Sequence, residues 1–279
     1  MKTLNPEHRT LPPPCKYFVS LHHQIRLDVN LPALAPLDER SRDLLCNAAG
    51  VLMPKYFSPV RYQQVAALAP NHFPRLGPRY LYRGKASQIR LFRDLALPHP
   101  RTVVYDKPAQ ALRSCLQSGI PFSPCVLKGD RGGGGSAVFP IHTWSDLSNG
   151  LNMLPGDEPV LLQDWVNNQG MDLRVVIIGE LTKSYFRVGN GHFYNNVAQG
   201  GRIDYELFPE KQRLGREMAR SLCQSAGIDV AGLDLMFPPQ GSPLFIEINF
   251  LFGRKGIGGR TGYERLFDQA VRAWMHAHE

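Results

Sequence analysis

Three stretches of this chain hold residue types whose spacing has chemical consequences. In Ala231-Gly232-Leu233-Asp234-Leu235-Met236-Phe237 an aspartate interrupts an apolar run, and in Pro243-Leu244-Phe245-Ile246-Glu247-Ile248-Asn249 two polar residues alternate with isoleucines. Read as two strands of a hairpin, these segments turn Asp234, Glu247 and Asn249 onto one face. Carboxylates on an apolar scaffold are costly unless something neutralises them. Oxygen ligands without His or Cys suit Mg²⁺, which completes its octahedron with phosphate oxygens and water. The alternative is a buried acid paired with an arginine.

A second stretch is Asp172-Leu173-Arg174. Strand period two places Asp172 and Arg174 on the same face, where an intrastrand salt bridge is the simplest reading. Functionally, the carboxylate suits a ribose hydroxyl or a cation, and the guanidinium suits a phosphate or carboxylate held bidentately. The third is Asp130-Arg131-Gly132-Gly133-Gly134-Gly135-Ser136, lying between two strand-like runs. Its backbone N–H groups approach phosphate without a Cβ in the way, although a plain flexible turn fits equally. No Gly-Lys-Ser/Thr follows, so it is not a Walker loop. Lys128 ends the preceding strand on the face of Val126, placed to neutralise nucleotide phosphate or simply to snorkel to water.

The elements that must position these residues follow from periodicity. Short strands are expected at Tyr17–Leu21 and Val51–Met53, with a helix over Asp38–Ala49 between them and long loops around them. Beyond Arg101 the pattern predicts strands at Thr102–Tyr105, Cys125–Gly129, Ala137–Ile141, Pro159–Trp165, Leu173–Ile178 and Leu181–Val188. The last two form a hairpin across Gly179-Glu180, and Val230–Phe237 with Leu244–Asn249 forms another. Helices are expected over Pro108–Gln117, from Thr143 or Ser145 to Met153, over Pro209–Ala226 and over Tyr263–His276.

Composition excludes several classes. No apolar run is long enough to span a membrane, and the N-terminus lacks the apolar core of a signal peptide. The expectation is a cytoplasmic protein with no membrane partner. Five scattered cysteines without Cys-x-x-Cys argue against a disulfide framework or a zinc site. The formal charge is +8 and 23 of the 32 basic residues are Arg, but they are spread along the chain, which argues against a nucleic-acid partner. A homo-oligomer is compatible with the sequence.

Taken in order, the motifs resemble the ATP-grasp superfamily, and more closely its branch of glutathione synthetases and RimK-like glutamate ligases that modify ribosomal proteins. The resemblance covers about Gly84 to Glu279. It implies an α+β fold, in which two α+β subdomains (a lid at about 100–162, a C-terminal part at about 163–279) form an ATP-grasp domain over 84–279. A small α/β domain over 1–83 precedes them. The family's nucleotide lysines match Lys85, in Tyr82-Arg83-Gly84-Lys85-Ala86-Ser87-Gln88, and Lys128. Gly133, Gly134, Gly135 and Ser136 then form the phosphate lid. Gln163, Asp164, Trp165 and Val166 form the hinge strand facing adenine, and Asp172, Asn195 and Asn196 complete the nucleotide contacts. Asp234, Glu247 and Asn249 match the metal ligands, and Arg174, Lys128 and Asn249 the catalytic set.

The implied cofactors are ATP and Mg²⁺, with Mn²⁺ as a substitute. The implied reaction passes the γ-phosphoryl group to a carboxylate for attack by an amine, on small-molecule or peptide substrates. A small-molecule kinase and a non-catalytic nucleotide-binding module remain alternatives. The sequence departs from the glutamate ligases at Tyr194, at Ala198-Gln199 and at Phe250-Leu251, on the acceptor side. There Arg187, Arg202, Arg254 and Lys255 are the candidates for holding an anionic substrate.

Overall fold

The computed structural model describes residues 16–34, 36–132, 135–189 and 201–279, and the chain divides into two compact units. The first comprises the chain up to Phe73 together with Val271–Glu279. Its strands β1 (Phe18–Ser20), β2 (Val29–Asn30), β3 (Gly50–Leu52) and β4 (His72–Phe73) form a parallel sheet in the order β2-β1-β3-β4. Parallel neighbours need crossovers, supplied here by α1 (Glu39–Cys46) between β1 and β3 and by α2 (Pro59–Leu68) between β3 and β4. Asp38 caps α1 by accepting from Ser41 N, and Ser58 caps α2 ahead of Pro59. The segment around α2 was expected as loop. Its apolar positions do not gather on one face: Tyr62 and Val65 are buried while Val60 is exposed.

The second unit spans Pro74–Ala270. It opens with α3 (Gly77–Leu81) and α4 (Lys85–Asp94), neither anticipated as a helix. It continues through β5 (Thr102–Tyr105), α5 (Pro108–Ser118), β6 (Cys125–Gly129), β7 (Val138–Ile141), α6 (Trp144–Asn152) and β8 (Val160–Asp164). These four strands form an antiparallel sheet in the order β5-β8-β6-β7. Helices α5 and α6 bury Ala111, Cys115, Leu147 and Leu151 in one cluster with the strand residues Cys125, Leu127 and Leu162. Thr143 and Asp146 form a capping box at the start of α6.

Next come β9 (Met171–Ile178), β10 (Leu181–Val188), β11 (Arg202–Asp204), α7 (Pro209–Ala226), β12 (Val230–Met236), β13 (Leu244–Asn249) and α8 (Gly259–His276). The strands make a five-stranded antiparallel sheet in the order β11-β10-β9-β12-β13, and both expected hairpins form. Pro209 occupies the first turn of α7, and Gly227 ends the helix at a left-handed φ of 67°. One face of this sheet carries Leu173, Val175, Ile177, Leu233 and Leu235 into a core shared with Ala219 and Leu222 of α7 and with Ile89 and Phe92 of α4. That core fixes the register, so the alternate residues present their side chains on the opposite face. Among the described residues no helix is long and apolar enough to cross a membrane.

Candidate active site

The register of the five-stranded sheet aligns one row of side chains on the face away from that core. Tyr185 on β10 stands opposite Arg174 on β9, Arg174 opposite Asp234 on β12, and Asp234 opposite Glu247 on β13. Arg187 and Asp172 face each other two residues along. Adjacent strands lie about 4.8 Å apart, so the row runs roughly 15 Å from Glu247 to Tyr185.

Within it, charge is almost completely paired. Arg174 holds Asp234 bidentately, through a short Nε contact to Oδ1 and through Nη2 to Oδ2 at 2.9 Å. Arg187 donates from Nε to Asp172 at 2.6 Å and from Nη2 to Asp234 at 3.0 Å. Asn249 Nδ2 donates to Asp234 Oδ2 at 3.1 Å. The expected intrastrand pair of Asp172 with Arg174 is therefore replaced by pairs across strands. Side chains two apart on a strand share a face, but those on the neighbouring strands are nearer.

Burial alone would raise the carboxyl of Asp234, but Arg174 and Arg187 outweigh it and hold the group below its usual range. Asp172 moves the other way. Its burial, with the Asp234 charge nearby, overcomes its contacts with Arg187 and Arg174. Burial would weaken the Arg187 cation, but Asp234 and Asp172 more than compensate and hold it firmly protonated.

Glu247 sits at the open end of the row with its side chain 27% exposed, and Lys85 Nζ reaches it at 3.2 Å. Lys85 opens α4, and its Nζ also donates to the carbonyl of Gly132 at 3.3 Å. The helix is fastened to β13 by Gln88, which donates to Ile248 O and accepts from Ile248 N, both at 2.8 Å. A side-chain amide thus takes the place of a neighbouring strand along this stretch of β13.

Lys128 approaches from the four-stranded sheet. It is buried, and its Nζ donates to Gln163 Oε1 at 2.5 Å, while Gln163 Nε2 donates to Thr102 Oγ1 at 3.0 Å. Among the described residues no carboxylate forms an ion pair with Lys128. Burial, with the charge of Lys85, pushes its ammonium down to about 8 despite the pull of Glu247 and Asp234.

Other expected residues are placed as follows. Asp164 pairs with Arg101 at 2.8 Å, and the Trp165 ring stands 5.5 Å from His142, with Val166 just beyond the strand. Gly135 and Ser136 lie in the turn before β7, with Gly135 at a φ of 83°. Gly133, Gly134, Asn195 and Asn196 lie outside the described residues. Arg202 pairs with Asp204 on the surface, Arg254 stacks over Tyr263 at 3.9 Å, and Lys255 is exposed at the start of a 3-10 turn. The structure thus brings Arg187 into the charge row and leaves Arg202, Arg254 and Lys255 off it.

Two aromatic side chains that the sequence pattern does not single out also stand here. Tyr185 is 3% exposed, and the backbone of Gly256 presses on its ring so closely that a Cβ would overlap it. Phe252 packs in the same way onto Gly232, on the row next to Asp234. The only sequence signal for Tyr185 was its place two residues before Arg187 on a strand.

The donor set fits a hard cation. The Asp234 carboxylate, the more exposed Glu247 carboxylate and the Asn249 amide oxygen come from neighbouring positions of one hairpin, with no His or Cys among them. Asn249 spends its nitrogen on Asp234, which leaves its oxygen as an acceptor.

Comparison with known proteins adds the family. A family model describing a RimK-like ATP-grasp domain matches residues 83–265. Beta-citrylglutamate synthase B of Danio rerio is 28% identical over 64% of this chain and 46% of its own length. Ribosomal protein bS6–L-glutamate ligase of Escherichia fergusonii is 25% identical over 81% of this chain and 76% of its own. The chain spans about half the length of the citrylglutamate synthases it matches. Among solved structures, the D-Ala:D-Ser ligase VanG of Enterococcus faecalis has a TM-score of 0.61 at 14% identity, covering 82% of this chain and 73% of that one. A RimK domain protein of Sphaerobacter thermophilus has 0.57 at 15%, covering 91% and 98%. Both share the fold described above. This chain belongs to the RimK-like ATP-grasp family.

Proposed function

We propose that this chain is a Mg²⁺- and ATP-dependent ligase that joins a carboxylate to an amine. The observation that carries the reading is the convergence of Lys85, Lys128, Arg174, Asp234, Glu247 and Asn249, delivered by α4, β6, β9, β12 and β13, on one charged face. The names of the relatives, which are glutamate ligases and a citrylglutamate synthase, support the same class.

In this reading Lys85 and Lys128 hold the nucleotide phosphates. The substrate carboxylate oxygen bonds to the γ-phosphorus while the bond to the β-phosphate oxygen breaks, releasing ADP and leaving an acyl phosphate. The amine nitrogen then bonds to the acyl carbon, phosphate departs, and the nitrogen loses a proton. Asp234, Glu247 and Asn249 would hold Mg²⁺, which supplies positive charge against the phosphate oxygens. Arg174, locked by Asp234, presents a fixed cation beside the transferring group. Because its orientation is set before any ligand arrives, little reorganisation is needed during the reaction. Gln163 to Val166 form the strand end offered to the base, and Asp172, Asn195 and Asn196 complete the nucleotide contacts. Arg187, Arg202, Arg254 and Lys255 would serve the anionic substrate, Arg187 from within the charge row and the other three from outside it.

The test is product analysis by mass spectrometry after incubation with ATP, Mg²⁺ and a pool of carboxylates and amines, with L-glutamate as the first amine. ADP formation that requires both partners is the expected result. A stable phosphorylated product without condensation indicates a kinase instead. Failure to bind nucleotide by calorimetry, with or without Mg²⁺, sinks both readings.

A further inference from the structure

Helix α4 begins at Gly84, a residue with no side chain to cap it. A helix start leaves backbone N–H groups without partners, and Ser, Thr, Asp or Asn at the cap ordinarily accepts from one of them. Here the acceptor comes from a different part of the chain. Asp130, two residues beyond Lys128, accepts from Lys85 N through its backbone carbonyl at 3.0 Å and from Ala86 N through Oδ1 at 2.7 Å. Its carboxylate fills the space where a Cβ on Gly84 would stand. Gly84 has an ordinary extended backbone, with φ of −103° and ψ of 159°. Glycine is therefore required at this position by the approach of Asp130 and not by conformation.

Asp130 is itself anchored. Its N–H donates to Pro159 O at 3.0 Å, just before β8, and the adjacent Arg131 pairs with Glu158 at 3.1 Å. Lys85 Nζ reaches the carbonyl of Gly132, two residues further on. The α4 N-terminus, the end of β6 and the start of β8 thus meet at one residue, Asp130, through its backbone and its carboxylate.

We propose that Asp130 is a positioning residue that fixes the spacing of Lys85 and Lys128, the two cations assigned above to the nucleotide phosphates. The inference rests on that assignment. Lys85 leaves the chain from α4 and Lys128 from β6, and nothing in the local geometry of either element sets the distance between their ammonium groups. Asp130 ties the two elements directly, alongside the hold of Gln88 on β13, since it continues β6 and receives the first turn of α4. Lys85 stands near enough to lower the proton affinity of Lys128, so the two cations are held together at a cost. A tie from outside the pair keeps them in place before a polyanion arrives.

The experiment separates capping from positioning. Gly84→Asp in the Asp130→Ala background supplies a cap within α4 itself, in the space the Asp130 carboxylate vacates, but no longer fastens the helix to β6 through a side chain. Thermal unfolding and calorimetric titration with ADP and Mg²⁺ are measured on the full chain. The double variant is expected to recover the melting temperature lost in Asp130→Ala while binding ADP about tenfold more weakly than wild type, a loss of about 1.4 kcal/mol. Asp130→Asn, which keeps an oxygen acceptor, is expected to fall between wild type and Asp130→Ala in affinity.

Recovery of both melting temperature and affinity in the double variant overturns the proposal and leaves Asp130 as a cap. Should the double variant not fold, Asp130→Ala decides: a lowered melting temperature with unchanged ADP affinity overturns it equally. Wild type that does not bind ADP removes the nucleotide reading itself, a result distinct from either.

Discussion

Two buried cations in this molecule live in opposite circumstances. Arg174, on the five-stranded sheet, faces Asp234 through two hydrogen bonds, and its neighbour Arg187 is shared between Asp234 and Asp172. Lys128, on the four-stranded sheet, has the neutral amide of Gln163 and no ion pair among the described residues. The first environment is electrically complete without any ligand. The second keeps a positive charge in a dry place at a cost, and a phosphate oxygen would remove that cost. On the proposed reading, the contrast separates a frame, whose charges hold each other's geometry, from a group whose charge a phosphate would meet.

The largest effect that tests this contrast is expected at the frame. Asp234→Asn leaves Arg174 and Arg187 with one carboxylate fewer between them. It should lower ADP formation by about three orders of magnitude and destabilise the fold by about 3 kcal/mol in denaturant unfolding. Lys128→Met should behave differently. ADP affinity is expected to drop about a hundredfold, the scale of losing one member of a buried charge pair. Stability should stay level or rise, because an apolar side chain replaces a desolvated ammonium. A Lys128→Met protein that unfolds as readily as Asp234→Asn would break the distinction between frame and binding group.

The distinction also has a pH signature. Lys128 is held at about 8 in the folded chain, against 10.5 as its ordinary value. Between those values the unfolded chain binds the extra proton, so stability rises with pH across this window. The gain from this one group amounts to at most about 3 kcal/mol. ADP affinity should fall over the same window, as the ammonium that meets phosphate is lost. In Lys128→Met both slopes should flatten between pH 8 and 10.5. Slopes that persist in the variant would assign the titration to another group.

How much of this was legible depended on whether a feature is local. Period two put Asp234, Glu247 and Asn249 on one face, and Asp172 with Arg174 on one face, and the sheet agrees. What alternation does not contain is which strand lies next to which. Because β9 runs between β10 and β12, Arg174 meets Asp234 and leaves Asp172 to Arg187. Helix α4 is not marked by periodicity, although Ala86, Ile89 and Phe92 are spaced for one buried face. Lys85 and Gln88 are also buried, so the polar and apolar sides do not separate in the sequence. Asp130 carried no signal at all, since its role exists only through Gly84, far away in the chain.

The smallest effect tests the contrast most directly, because it alters the partner of Lys128 and leaves the lysine in place. Gln163 links Lys128 to Thr102, whose hydroxyl donates onward to Pro100 O at 2.7 Å. Gln163→Leu removes the hydrogen-bond acceptor that meets the ammonium among the described residues, while Thr102 keeps its own acceptor. Stability should fall by about 1 kcal/mol. The proton affinity of Lys128 should drop further, so that ADP affinity declines at a lower pH than in wild type. Gln163→Glu does the reverse. It gives Lys128 a carboxylate, as Arg174 already has, which should raise its proton affinity and abolish the alkaline loss of binding. ADP affinity at neutral pH should nevertheless weaken by about threefold to tenfold, since the phosphate then competes with an ion pair already formed. Calorimetric titrations of the two variants across pH read both effects. Tighter ADP binding in Gln163→Glu would show that the uncompensated charge of Lys128 is not what draws the nucleotide.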